Sequence, residues 1–287
     1  MIYKEKIEFD NIRDFEPVHI FECGQVFRWV PEKRKEGEPN GQAGIVADVY
    51  TGFAGAYTAR VGFDNGRLSI ETSGGSREFW HDYFDLGTDY GEIKETLVKN
   101  EPKLKDATEY GYGIRILNQD LFETIISFII SQNNNIPRIR KNIESLCERY
   151  GEEIGNEDGK TLYAFPTPKA LADASEDDLA ALKLGYRSAY IKESARCYLE
   201  KGSPCTREEL LNMHGIGPKV ANCIMLFGLR DVEAFPIDTW VKHIMTDMYD
   251  ISGKDVQGMY KTAYEKFGKY AGYAQQYLFY YYRDKGL

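Results

Sequence analysis

Cysteine is scarce in this chain of 287 residues, and its distribution excludes two kinds of framework. The five cysteines stand at positions 23, 147, 197, 205 and 223, an odd number without a Cys-x-x-Cys pair. A set of structural disulfides is therefore not expected, whereas a reducing compartment is. Because no cysteine follows Cys223, a C-terminal iron–sulfur cluster held by several cysteines is excluded.

Long apolar segments are missing as well. No apolar run approaches the roughly 20 residues that a membrane-spanning helix requires. The N-terminal segment MIYKEKIEFD is too polar for a signal peptide. We therefore expect a cytoplasmic protein without a membrane partner.

Positive charge is in deficit. Lysine and arginine total 36 against 45 acidic residues, which gives a net charge of −9, and this balance by itself argues against a nucleic-acid partner. However, the acidic residues crowd into residues 151–159 and 175–178, whereas residues 183–219 carry more cations than glutamates. A protein that is acidic overall can still present one basic face to phosphates, because phosphates respond to the local field.

The rest of the composition is that of an ordinary globular protein, with 43% hydrophobic and 28% charged residues. The chain is long enough for a sizeable core and a few packed subdomains. Aromatic residues reach 14%, including 21 tyrosines. They fit either a packed core or a surface on which nucleic-acid bases stack.

Short apolar runs and turn signals predict a strand-rich N-terminal domain over residues 1–112. The tripeptide Asp64-Asn65-Gly66 is a hairpin turn signal. The charged stretch 31–42 predicts a solvated loop. The predicted strands cover residues 26–30, 43–49, 54–63 and 67–72, and connecting helices are predicted at 76–86 and 91–99.

From residue 113 to residue 287 the apolar spacing becomes helical. Asp120 followed by Glu123 predicts the start of a buried helix over 121–131. A helix–hairpin–helix is predicted at 206–228, and the C-terminal helix is expected to pack near the N-terminal domain. Further helices are predicted at 137–150, 176–183, 188–201, 239–249, 254–267 and 272–285. The fold class is therefore α+β, with an antiparallel sheet domain followed by an all-α domain.

The segment LLNMHGIGPKVA, residues 210–221, contains two glycines around one aliphatic residue between two predicted helices. Glycine permits positive φ and brings no side chain, so a ligand can approach the backbone closely at Gly215 and Gly217. The second helix begins near Pro218, and its first N–H groups, up to Val220, suit a bound phosphate. A plain turn between two helices would use the same glycines.

This segment resembles the helix–hairpin–helix superfamily of DNA glycosylases. In that superfamily a lysine that begins the second helix is the nucleophile, and an aspartate further along the chain completes the site. The resemblance assigns these roles to Lys219 and to Asp238, which stands in the string FPIDT. It also implies an N-terminal sheet domain like that of the TATA-binding protein.

The two side chains suit the cleavage of a bond between a sugar carbon and a base nitrogen. The transition state carries positive charge on the sugar, which a carboxylate stabilises. An amine can attack C1′ and form a Schiff base, after which β-elimination of the 3′ phosphate is easy. Plainer interpretations remain open, because a lysine such as Lys219 is often solvated and Asp238 would serve as an ordinary helix N-cap.

The segment SQNNNIPR, residues 131–138, resembles the 8-oxoguanine branch of the superfamily. The resemblance implies that Asn133 fills the space left by a flipped base and that Tyr186 acts as a wedge. It also implies that Arg138 and Arg187 read the orphaned cytosine, whose acceptors match the donors of a guanidinium. A wedge is needed because extrusion costs a few kcal/mol of stacking. A loop that ends a helix would explain the asparagines equally well.

Two other strings resemble the base pocket of that branch. In CGQVFRW, which begins at position 23, the carbonyl of Gly24 would accept N7–H of 8-oxoguanine, a hydrogen that guanine lacks. Phe27 of the same string joins the pocket. In AQQYLF, Gln275 would bind the Watson–Crick edge and Phe279 would stack on the base. The alternatives are a core strand and a buried aromatic helix.

Cys223 lies four residues after Lys219, on the same helix face. In the family this cysteine stacks on the other side of the base and pairs with the lysine as a thiolate, although a small buried core residue would look the same. One departure stands at Trp240, where animal members carry a histidine that helps to position a phosphate. An indole donates a single hydrogen bond.

The predicted function is excision of 8-oxoguanine opposite cytosine from duplex DNA, followed by β-elimination at the abasic site. The expected enzyme is a monomer at the nucleoid of a prokaryote. It requires no cofactor, although a structural monovalent cation at the hairpin is possible. The missing C-terminal cysteines argue against an endonuclease III-like or adenine glycosylase, and Lys219 argues against an alkylation-repair enzyme. A glycosylase for another damaged base and a non-catalytic DNA-binding protein stay open as alternatives.

Overall fold

The structure, a computed structural model, describes residues 3–32, 49–157 and 159–286. Two hydrophobic cores form within these residues. The first joins the N-terminal strands to residues as far as Phe84 and to Leu117, and the second joins most of the helices that follow. Val26 and Trp29 belong to the first core, whereas Cys23 and Phe27 belong to the second. The segment 23–29 therefore forms the boundary between the two cores.

A five-stranded antiparallel sheet forms the first part of the molecule. Its order is β1-β5-β4-β3-β2. Asn65 and Gly66 both have positive φ at the β4–β5 turn, as the two-residue hairpin signal predicts. The strands are β1 (Glu5–Phe9), β2 (Val30–Pro31), β3 (Val49–Ala54), β4 (Tyr57–Asp64) and β5 (Arg67–Thr72).

Two strand predictions were wrong in their bounds. Residues 26–29 form no strand, because Phe27 enters one core while Val26 and Trp29 enter the other, and only Val30–Pro31 pairs with β3. The run 54–63 is divided by a turn at Gly55, which has φ +57, so β3 ends at Ala54 and β4 begins at Tyr57. Most of the predicted loop at 31–42 and of the predicted strand at 43–49 lies outside the described residues.

The remaining elements are mostly helical, and the predicted fold class is confirmed. Local capping signals account for many of the helix starts, since Ser, Thr, Asp and Asn side chains accept the first free N–H groups. The helices are α1 (Pro17–Phe21), α2 (Arg77–Tyr83), α3 (Tyr90–Asn100), α4 (Lys105–Tyr110), α5 (Leu121–Ser131), α6 (Ile136–Tyr150), α7 (Pro168–Asp173), α8 (Glu176–Ala181), α9 (Arg187–Lys201), α10 (Arg207–Leu211), α11 (Pro218–Gly228), α12 (Thr239–Tyr249), α13 (Val256–Phe267) and α14 (Ala271–Lys285).

The sequence did not predict a small two-stranded sheet within the helical part. The strands β6 (Glu153–Glu157) and β7 (Lys160–Tyr163) pair antiparallel. The first of these strands, β6, is acidic and contains glycine, which is unfavourable for a strand, so tertiary contacts decide this element. One such contact is the hydrogen bond from the Arg28 guanidinium to the Tyr163 carbonyl.

Helix α5 is buried nearly all round and packs against α6, α9 and α11. At the other end of the chain, α14 packs against α4 and α12. The Phe279 ring of α14 also lies beside Gly24 of the N-terminal part. Among the residues that the structure describes, no helix combines the length and apolar character needed to cross a membrane.

Candidate active site

A hairpin of residues 212–217, hereafter the hairpin, joins α10 to α11. Gly215 has φ +84, and a Cβ there would lie 2.3 Å from the Tyr190 ring, so only glycine fits. Gly217 precedes α11, and a Cβ at this position would meet nothing within 4 Å. The hairpin is therefore closed on its Tyr190 side and open at Gly217.

The first turn of α11 exposes free donors. The N–H of Ala221 makes the bond back to the Gly217 carbonyl at 2.9 Å. The N–H groups of Lys219 and Val220 precede this bond, so the helix itself gives them no acceptor. The Val220 side chain is buried and anchors the turn in the core.

Lys219, Cys223 and Asp238 share one electrostatic environment. Burial raises the pKa of the Cys223 thiol; the Lys219 ammonium, by charge and hydrogen bond, lowers it, and the Asp238 carboxylate raises it. The Lys219 Nζ also lies 5.5 Å from the centre of the Phe128 ring on α5. This structure therefore favours a neutral thiol at Cys223 over the thiolate that the family resemblance implies.

Asp238 caps α12. Its Oδ1 accepts a hydrogen bond from the Val241 N–H at 2.9 Å, and the side chain remains partly exposed. A carboxylate has several acceptor positions, so capping leaves others for a ligand. Trp240, in the first turn of α12, is partly exposed as well.

The base-pocket candidates come from three separate parts of the chain. Gly24 has φ +82, and a Cβ there would lie 3.2 Å from the Phe279 ring. Gln275 is buried on α14 and accepts a hydrogen bond from the Gln276 side chain at 2.8 Å. Gly24 and Phe279 thus lie close together, and Gln275 stands one helical turn before Phe279 on α14.

Phe27, the other pocket candidate of the N-terminal part, is buried among aromatic rings. Its ring makes an edge contact with Phe128 at 5.8 Å between centroids, and Phe128 stacks on Phe227. Phe27 also lines a cavity of about 290 Å³ between the sheet, α6 and the β6–β7 hairpin. Phe27 thus contacts the same Phe128 ring that lies near the Lys219 amine.

The wedge candidates meet at the turn 132–135, hereafter the wedge turn. Asn133 has φ +46, and its amide donates to the Tyr186 hydroxyl at 3.1 Å. Tyr186 is 47% exposed. Arg138 is also exposed, in the first turn of α6. The structure therefore groups Asn133 and Tyr186 at one protruding edge.

Arg187 occupies a different setting from Arg138. It is 6% exposed, and its guanidinium donates to the carbonyls of Leu184, Gln132 and Asn133. These bonds use four of the five N–H groups of an arginine. Arg187 therefore holds the wedge turn, with one donor remaining for a ligand.

Sequence reasoning missed three residues that organise these positions. Phe128 contacts Lys219, Tyr190 lies under Gly215, and Gln132 donates to the Gly215 carbonyl at 3.0 Å. Phe128 was visible only as one apolar residue in a buried helix. The available signal for Gln132 was its place directly before Asn133 in the string SQNNN.

Both parts of the chain match known families. Residues 7–125 match the N-terminal domain of 8-oxoguanine DNA glycosylase. Residues 126–269 match the HhH-GPD superfamily of base excision DNA repair proteins.

Similar proteins cover most of the chain. A probable N-glycosylase/DNA lyase of Methanothermobacter thermautotrophicus is 32% identical over 233 residues, 71% of this chain and 74% of the relative. The N-glycosylase/DNA lyase OGG1 of Arabidopsis thaliana is 31% identical over 288 residues, 90% of this chain and 75% of the relative.

A solved structure is similar over the whole chain. It is the 8-oxoguanine glycosylase/lyase of Clostridium acetobutylicum in complex with double-stranded DNA containing cytosine opposite 8-oxoguanine, with a TM-score of 0.85, 36% identity and 100% coverage of both chains. Together with the two family models and the Methanothermobacter relative, this similarity shows that the chain belongs to the 8-oxoguanine DNA glycosylase/lyase family of the HhH-GPD superfamily.

Proposed function

We propose that this protein excises 8-oxoguanine opposite cytosine from duplex DNA and then cleaves the strand by β-elimination. The observation that carries the proposal is the meeting of Lys219, Cys223 and Asp238 beside the hairpin. A DNA-binding protein without catalytic activity would need the hairpin but not this cluster.

The proposed chemistry uses an amine and a carboxylate. The bond from C1′ to the base nitrogen breaks with its electron pair leaving on the base, and the Asp238 carboxylate stabilises the positive charge that develops on the sugar. The Lys219 amine, once it has lost a proton, forms a bond to C1′, and opening of the sugar ring gives a Schiff base. Loss of a C2′ proton then expels the 3′ phosphate.

Recognition of the base is assigned to Gly24, Gln275, Phe279 and Cys223. The Phe279 ring would cover one face of the base and the small Cys223 side chain the other. The Gly24 carbonyl would accept N7–H of 8-oxoguanine, whereas guanine would bring two acceptors face to face. The positive φ of Gly24 and its contact with Phe279 support this assignment.

The direct experiment compares two duplexes that differ at one base. The protein is incubated with DNA that contains 8-oxoguanine or guanine opposite cytosine, and base release and strand cleavage are followed separately. We expect both products from the 8-oxoguanine duplex alone. If the protein binds the duplexes but releases neither 8-oxoguanine nor guanine, the proposed function is wrong.

Arg138 is proposed to read the opposite cytosine. It is exposed beside the wedge turn, whereas most donors of Arg187 are bound to carbonyls. Replacing Arg138 with alanine is expected to reduce the preference for cytosine over the other three bases by about 1–3 kcal/mol, roughly five- to 150-fold in the ratio of base-release rates. The check is a panel of duplexes with each base opposite the lesion, run with Lys141→Ala as a control. If Arg138→Ala keeps the wild-type order of rates for the four opposite bases, another residue recognises the cytosine.

The hairpin is proposed to bind a phosphate through its backbone. Because a Cβ at Gly217 meets nothing within 4 Å, Gly217→Ala is expected to fold normally but to bind DNA about tenfold more weakly, since the added methyl group obstructs the phosphate. Gly215→Ala provides the contrast, because its Cβ collides with Tyr190 and the melting temperature should fall. Unchanged DNA affinity in Gly217→Ala would argue against a phosphate at this position.

The remaining assignments concern cofactors, assembly and location. We propose that the reaction requires no cofactor and that the hairpin carbonyls offer a place for a structural monovalent cation, because carbonyl oxygens suit hard cations. We also propose a monomer at the nucleoid of a prokaryotic cell. Similarity to proteins of Methanothermobacter and Clostridium supports the prokaryotic setting.

A further inference from the structure

Gln132 lies where the wedge turn, the hairpin and the start of α9 meet. Its side-chain Nε2 donates to the Gly215 carbonyl at 3.0 Å and to the Ile129 carbonyl at 3.3 Å. Its backbone carbonyl accepts a hydrogen bond from Arg187 Nε at 2.9 Å. One residue thus connects three segments that are distant in the sequence.

The bond to Gly215 completes the fixation of one peptide group in the hairpin. The N–H of that peptide belongs to Ile216 and donates to the Met213 carbonyl at 3.3 Å, while its C=O accepts from Gln132. Gly215 has positive φ and no side chain, so its peptide would otherwise turn easily. The side-chain amide of Gln132 therefore fixes the orientation of the peptide group between Gly215 and Ile216.

A second set of contacts, through two tyrosines, joins the hairpin to the wedge turn. Asn133 donates to the Tyr186 hydroxyl, and the Tyr186 ring makes an edge contact with Tyr190 at 5.4 Å between centroids. The Tyr190 ring in turn lies against Gly215. Contacts therefore connect the hairpin to Asn133 along two routes, one through Gln132 and one through the tyrosines.

We propose that Gln132 is a positioning residue that couples the grip of the hairpin on a DNA phosphate to insertion of the wedge turn at the flipped nucleotide. The proposal rests on the proposed function. A hairpin held at a fixed distance from the wedge turn places Asn133 at the vacated position as soon as the phosphate is bound. Preorganisation of this kind lowers the barrier to extrusion and leaves the chemistry at Lys219 unchanged.

The test separates extrusion from chemistry. Gln132→Leu retains the size of the side chain and removes the donor. Base release from an 8-oxoguanine duplex is measured in a single turnover, and borohydride trapping is measured on a duplex with a preformed abasic site, where no base has to leave the stack. We expect base release to slow about tenfold and the trapping rate to change less than about twofold.

The controls address folding and the route of coupling. Gln257→Leu changes an exposed glutamine on α13 and should leave both rates unchanged. Gln132→Glu, which also lacks the amide donor, should reproduce the defect if the leucine variant is poorly folded. The double variant with Tyr190→Leu should lose less than the product of the two single effects, because both residues act on Gly215.

Three results would contradict the proposal. Base release by a folded Gln132→Leu within twofold of the wild type would overturn it, and so would an equal loss in base release and abasic-site trapping. If the double variant slows base release by the product of the two single effects, Gln132 and Tyr190 act independently and do not share an effect on Gly215. If the wild type itself releases no 8-oxoguanine, the proposed function fails instead.

Discussion

Replacing Lys219 with glutamine is expected to abolish borohydride trapping and to slow base release by at least roughly a thousandfold, about 4 kcal/mol in activation free energy. An amide nitrogen is not nucleophilic and forms no Schiff base, so the covalent route is lost. The contacts of Lys219, the Phe128 ring and the Cys223 thiol, carry no net charge in the neutral-thiol form that the structure favours, and the Asp238 carboxylate that shares this environment is partly exposed to solvent. The substitution therefore leaves no buried charge unpaired, and the melting temperature should change by only a few degrees.

The measurement is a gel assay of the covalent adduct on an 8-oxoguanine duplex, with DNA affinity measured in parallel. Lys254→Gln changes an exposed lysine before α13 and is expected to trap as the wild type does. Binding by Lys219→Gln should persist, because the free N–H groups in the first turn of α11 belong to the backbone. An adduct that still forms in Lys219→Gln would assign the nucleophile to another amine.

The two helices that carry Lys219 and Asp238, the proposed catalytic pair, could be placed from sequence alone. Helix α11 spans Pro218–Gly228 and α12 spans Thr239–Tyr249, as predicted. Proline at a first helical position and aspartate at an N-cap are local signals, and they act through neighbouring backbone atoms. Such signals depend only on residues that are neighbours in the sequence. The positions of Lys219 at the start of α11 and of Asp238 before α12 could therefore be predicted.

Contacts between distant segments could not be placed in this way. The sequence string around Arg187 predicts a cytosine reader, but a string does not reveal that Gln132, 55 positions earlier, offers a carbonyl to its guanidinium. The steric demand of Tyr190 on Gly215 is similarly invisible, because glycine in a turn has several local explanations. These positions are decided by tertiary packing.

The boundary segment 23–29 illustrates a further limit. A short apolar run such as residues 26–30 predicts a strand. Here the apolar run has another cause, because Val26 and Trp29 enter one core while Cys23 and Phe27 enter the other. A segment between two cores satisfies the same pattern without pairing as a strand.

Replacing Asp238 with asparagine is expected to slow base release by about a hundred- to a thousandfold while leaving the fold intact. The carboxylate has two roles, since it caps α12 through the Val241 N–H and faces the Lys219–Cys223 cluster. Asparagine caps a helix about as well as aspartate. The loss of charge at the helix start costs only about 0.3–1 kcal/mol of stability, so the rate should fall far more than the stability.

Asp255 supplies the matched control, because its Oδ1 caps α13 through the Gly258 N–H at 2.8 Å. Asp255→Asn should lower the melting temperature as slightly as Asp238→Asn does and should leave base release unchanged. Asp238→Ala should lose the cap as well, about 1 kcal/mol, with no further loss of rate beyond that of the asparagine variant. If base release by Asp238→Asn stayed within about threefold of the wild type, Asp238 would be a helix cap alone and the positive charge on the sugar would need another partner.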